Sequence, residues 1–124
     1  METTELEEQI YTAFLADSQL MSRLTQQGTP IYHLQKVGTD SEHYPYIVYA
    51  PLTDVPALTA DDAEKYHRVT MRFHIVTKDG EYSAIYRDLK RILLAGGFMR
   101  LNTYPYAEDG EKILISDWRI GVDS

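Results

Sequence analysis

Apolar residues recur every three to four positions over residues 4–16, TELEEQIYTAFLA, at Leu6, Ile10, Ala13 and Phe14. That period predicts a helix with one buried face. Thr4 is placed to cap it, with Glu7 three residues on closing a capping box, and the early glutamates suit the helix dipole. A shorter helix is predicted over 18–26, started by Asp17 or Ser18, with Leu20, Met21 and Leu24 on one face. Gly28 and Pro30 end it. Residues 31–36, IYHLQK, read as a short strand, and VGTDSEHYP as a loop. From Pro45 to Leu52 the run PYIVYAPL is β-branched, aromatic and bounded by prolines, which predicts a strand. Tyr46 and Val48 point one way and Ile47 and Tyr49 the other, so both faces are expected to be covered.

Residues 53–65, TDVPALTADDAEK, show no period and read as a long polar loop. Alternation resumes over 66–77, where Val69, Met71, Phe73 and Ile75 interleave with Arg68, Thr70, Arg72 and His74. This is a strand with one core face and one polar face. The segment 78–97 carries the strongest helical stripe, at Tyr82, Ile85, Tyr86, Leu89, Ile92 and Leu93. Asp79 is its expected cap and Gly96–Gly97 its stop, while Arg87, Asp88, Lys90 and Arg91 fall mostly off the stripe. FMRLNTYPY and KILISDWRIGV then flank AEDGE, where Asp109–Gly110 is a hairpin signal. The sum is an α+β class: a mostly antiparallel sheet of about five strands, with the N-terminal helix, a short second helix and a late amphipathic helix packed on it. A chain of 124 residues fits one domain, and no repeat or linker divides it.

Charge and composition narrow the function. Nineteen acidic against twelve basic residues give −7, and the basic ones are scattered, which argues against a tight nucleic-acid binder. There is no cysteine, which excludes disulfides, thiolate metal sites and thiol nucleophiles. No signal peptide or membrane span is evident, so a soluble intracellular protein is expected.

Candidate chemistry is sparse. His33, His43, His67 and His74 show no metal-ligand spacing, and His67 and His74 are expected on opposite strand faces. The carboxylates of DSEH at 40–43 and of ADD at 60–62 read as solvated loop charge. A hydrolase or nuclease using Asp40, Glu42 and His43 stays open as an alternative, as does a monomeric adaptor. Asp117 sits mid-strand with Arg119 two residues on, which predicts a cross-strand or interface ion pair. The ten tyrosines read as core and interface residues. No catalytic residue, metal site or cofactor is expected.

Taken in order, EEQIYTAFLADSQLMSRL, IYHLQKV, YPYIVYAPL, HRVTMRFHIVT and YSAIYRDLKRIL resemble the small tail-completion and head–tail joining proteins of long-tailed bacteriophages. The resemblance spans roughly residues 7–120. It implies a non-enzymatic virion protein that forms rings, often hexameric, at the head-proximal end of the tail, with DNA passing through the lumen. It implies tail-tube and head-connector partners and no membrane. It leaves terminator, completion protein and neck adaptor as alternatives. The expected contact surfaces are the segments 36–44 and 53–65, with Asp54, Val55, Leu58, Asp61 and Asp62, and the strand residues Arg68, Thr70, Arg72, Asp117 and Arg119.

Overall fold

The computed structural model describes residues 1–33, 43–60 and 63–123, the side chains of 57–60 and 63–65 excepted. Helices α1 (Thr3–Ala16) and α2 (Ser18–Arg23) lead into strand β1 (Ile31–His33). Strands β2 (Tyr46–Ala60) and β3 (Ala63–Thr77) follow, then helix α3 (Ser83–Ala95) and strands β4 (Met99–Glu108) and β5 (Glu111–Asp123). The five strands form one sheet in the order β1-β2-β3-β5-β4. β1 runs parallel to β2, and the other pairings are antiparallel. This is the mostly antiparallel α+β architecture the sequence predicts.

The local signals account for most elements. Leu6, Ile10 and Phe14 are the buried face of α1. Asp17 caps α2, its Oδ1 accepting from the Leu20 N–H at 2.9 Å. α2 stops at Arg23, three residues earlier than predicted, because Leu24 turns extended and the Thr25 N–H bonds the Pro45 carbonyl at 2.8 Å. Asp109 and Gly110 both take left-handed φ, 50° and 79°, as the two-residue hairpin between β4 and β5 requires. Two expected caps are absent. α1 begins at Thr3 with no side-chain cap, and Glu7 instead meets His33 Nε2 at 2.6 Å. Asp79 accepts from the Glu81 N–H at 3.0 Å, ahead of α3, whose own start has no side-chain cap.

The main correction concerns residues 53–65. Most of this stretch is not a loop but the far half of a long strand hairpin. Thr53, Asp54 and Val55 pair with Thr70, Val69 and Arg68, and pairing continues to Ala60↔Ala63. The ladder supplies hydrogen bonds that local propensity does not favour. Register shifts fall at Pro51/Thr53 and Pro56/Leu58. Among the described residues β1 covers only Ile47–Tyr49 of the outer edge of β2, and an exposed edge tolerates proline. Asp61 and Asp62, and residues 34–42 of the expected 31–36 strand and following loop, lie outside the described residues.

All three helices pack on one side of the sheet. Their buried residues join Ile47, Tyr49, Val69, Met71, Phe73, Ile75, Leu114 and Trp118 in one cluster. Trp118 is fully buried and donates to Ser116 Oγ at 2.7 Å, which meets Thr103 Oγ1 at 2.9 Å, and Thr103 meets the Tyr86 hydroxyl at 3.2 Å. This relay ties α3 to β5 and β4. α2 and α3 are joined through Asp88, which is buried against expectation. It accepts from Arg23 Nε at 2.6 Å and Gln19 Nε2 at 2.9 Å.

Candidate functional site

Among the described residues, the second face of the sheet carries no residue of any helix. Tyr46, Val48, Val76, Ile113 and Ile115 form a separate apolar cluster there, with Tyr32 and Tyr44 packed against it. Alternation along β2 produces this arrangement: Ile47 and Tyr49 enter the helix-side core, while Tyr46 and Val48 enter the second cluster. The rings brace one another. Tyr32 and Tyr46 meet edge to face at 5.5 Å, and Tyr44 and Tyr46 lie 5.6 Å apart. Their hydroxyls converge on Glu111 Oε2, at 2.7 Å from Tyr44 and 3.3 Å from Tyr46. Burial first, then the Glu111 charge, pushes the Tyr46 phenol well above its usual pKa. On β4, Tyr104 and Tyr106 pair with Ile115 and Ile113 and stay 41% and 45% exposed. Spacing alone did not point to Glu111 as the shared acceptor, because it arrives from 65 and 67 residues away.

Further along this face the surface turns polar. Arg72 and Asp117 are directly opposed in the β3–β5 register. The guanidinium grips the carboxylate twice, Nε to Oδ1 at 2.8 Å and Nη2 to Oδ2 at 3.0 Å. A cross-strand ion pair was expected of Asp117; its partner is Arg72 and not Arg119. Arg119 sits opposite Thr70 and Met99, and Arg68 opposite Val55 and Gly121. Gly121 lies directly beneath Tyr66, whose hydroxyl would stand 1.6 Å from any added Cβ. Glycine leaves the room that the ring occupies.

Asp54, expected on a polar contact loop, is held internally. It accepts from the Thr3 hydroxyl and meets His67 Nδ1 at 2.6 Å. The Thr3 hydrogen bond, then the His67 contact, hold its carboxyl below the usual range. His67 Nε2 meets the Met1 carbonyl at 2.8 Å, so this nitrogen is committed as a donor. The triangle pins the start of the chain to the hairpin. It offers no free base, although a histidine beside a carboxylate resembles the core of a catalytic dyad. Val55 is 48% exposed next to Arg68, and Leu58 pairs with Tyr66. Among the described residues no group of three or more His, Asp or Glu could hold a metal ion, and no helix is long and apolar enough to cross a membrane.

His74 lies on the second face between Val48 and Ile115. Burial, reinforced by the Arg72 charge and opposed by Asp117, holds its pKa below the usual value of 6.5. As the pH falls below 6.5 the unfolded chain therefore takes up this proton before the folded one, and stability falls with it. The urea midpoint should drop between about pH 7.5 and 5.5, and His74→Gln should flatten that dependence. An unchanged slope in the variant would locate the pH sensitivity elsewhere.

The fold defines a class: a five-stranded, mostly antiparallel α+β sheet with α1, α2 and α3 layered on one side. No protein-family model and no curated protein matches the sequence. Solved structures share the fold. A chain of the virion of a native gene transfer agent particle superposes with TM-score 0.70 at 15% identity, over 93% of this chain and 92% of its own. A second solved chain superposes with TM-score 0.55 at 12% identity, over 100% of this chain and 97% of its own.

Proposed function

We propose that this chain is a non-enzymatic structural component of a phage or phage-like particle. Its role is that of a ring subunit at the head–tail junction or the head-proximal end of the tail. The carrying observation is the near full-length superposition, in both directions, on a chain of a gene transfer agent virion. The match runs over 93% of this chain and 92% of the other, so the likeness concerns the whole fold. The order of the tail-completion-like segments in the sequence supports the same reading.

The surfaces suit an assembly subunit. Tyr104, Tyr106 and Met99 leave large apolar side chains in water on the β4 edge. Sheet edges and exposed aromatic residues are common means of joining protein to protein. The net charge of −7 suits a particle part that lets DNA pass without gripping it. The partners on this reading are copies of the chain itself, the tail tube and the head connector.

Absolute mass by light scattering after size exclusion, over a wide concentration range, tests the proposal. The expected result is a closed oligomer near six times the 14.3 kDa chain mass. A strict monomer that also ignores tail-tube and connector proteins would overturn the ring and favour a monomeric adaptor.

A further inference from the structure

The helical layer exposes two stripes of opposite character, one on the β1 side of α1 and one on the outer face of α3. On α1 the outward stripe is Thr4, Glu8, Tyr11 and Leu15, spaced by four, three and four residues. All four are exposed, Tyr11 by 40% and Leu15 by 43%. α1 carries Glu5, Glu7 and Glu8 and no basic residue. On α3 the outward stripe has the same spacing, Ser83, Arg87, Lys90 and Leu94. Leu94 is 52% exposed, and Arg87 and Lys90 are exposed. The one acid of α3, Asp88, is buried against α2 and leaves the outer face basic.

α1 and α3 are neighbours, with Arg91 of α3 gripping Asp17 at 2.9 and 3.0 Å, and the two stripes lie on the sides turned away from that contact. α1 flanks β1: Glu7 pairs with His33, and Thr4, Glu8 and Tyr11 line a cleft with Ile31 and Tyr49. α3 flanks β4: Tyr86 bonds Thr103, and Arg100 donates to the Tyr86 hydroxyl at 3.4 Å. β1 and β4 are the two outer strands. Within one chain the two stripes do not face each other. Each has a carboxylate or cations in its middle and a bare leucine in its last turn. Surfaces of opposite sign on opposite flanks are the requirement of a head-to-tail contact, which closes into a ring when the rotation allows.

We propose that the partner of the α1 stripe is the α3 stripe of a second copy of this chain. Glu8 faces Arg87 and Lys90 across the contact, and Tyr11, Leu15 and Leu94 form its apolar centre. The inference rests on the ring reading and names the surfaces that would build the ring. Because the contact is partly ionic, it weakens as salt rises.

Charge reversal tests it. One variant carries Glu8→Lys; the other carries Arg87→Glu with Lys90→Glu. All three positions are solvent-exposed, so both variants should fold, checked by circular dichroism and thermal melting. Each alone should fall to the 14.3 kDa monomer at concentrations where the wild type is assembled. Mixed in equal amounts they should reassemble, because each reversed surface then meets its complement in the other variant. A chain carrying all three changes should assemble alone. If the wild type is oligomeric and both variants keep its mass, this contact is wrong and the ring reading stands. Loss of assembly in both variants without recovery on mixing overturns the pairing as well. A wild type that never assembles, alone or with tail-tube and connector proteins, removes both claims.

Discussion

Ile47→Asp abolishes the folded state. Ile47 is fully buried on the helix side of β2, between β1 and β3, opposite Ile31 and Ile75. It joins the cluster that receives α1, α2 and α3. The substitution removes roughly 2–3 kcal/mol of apolar burial. It also strands a carboxylate with no cation facing it among the described core residues. Burying an unpaired charge costs several kcal/mol more, or forces protonation at comparable cost. A domain of this size has about 5–15 kcal/mol in total. Circular dichroism and tryptophan fluorescence should show a chain without a cooperative melt, since Trp118 reports on the same core. A soluble variant with wild-type spectra and a cooperative transition would overturn the assignment of Ile47 to the core.

Arg72→Ala destabilises by roughly 3 kcal/mol, near the lower end of what breaking a buried pair costs. Asp117 is only 4% exposed and accepts both guanidinium bonds. Without Arg72 it remains desolvated beside Ile115 and opposite Asn102. The guanidinium itself is about one-third exposed, so water replaces part of what is lost and keeps the effect moderate. Removing both charges tells the pair apart from mere packing. Arg72→Met with Asp117→Leu should recover most of the loss, because the cost lies in the orphaned carboxylate. Chemical denaturation of the two variants measures this directly. Equal instability of the single and double variants would mean that the carboxylate is not the source.

Much of the architecture was legible along the chain because its signals are local. The four-residue spacing of Leu6, Ile10 and Phe14, the alternation of Val69 to Ile75 and the Asp109–Gly110 turn each depend on a few neighbouring residues. They encode which face is buried, and the fold obeys them. The segment 53–60 was not legible, because Asp54 and Pro56 disfavour a strand and no alternation of apolar and polar positions runs through it. Its conformation follows from pairing with β3 and from the anchoring of Asp54 by Thr3 and His67. Those contacts join positions 13 and 51 residues apart, beyond the reach of any local pattern.

The proposed contact surfaces divide in the same way. The sequence by itself determined the composition of the helices: an α1 with acids and no bases, and an α3 rich in Arg and Lys, each with a spare leucine. It also determined the acidic balance and the absence of thiol chemistry. Only the tertiary structure decided that Asp117 takes Arg72, that Glu111 gathers two tyrosine hydroxyls and that Asp88 disappears beneath Arg23. It alone set α1 and α3 against each other, with one side of α1 turned to β1 and one side of α3 turned to β4. The reason is physical. Periodicity is a property of neighbours along the chain, whereas partners and flanks are chosen when distant strands pair and the helices must share one face.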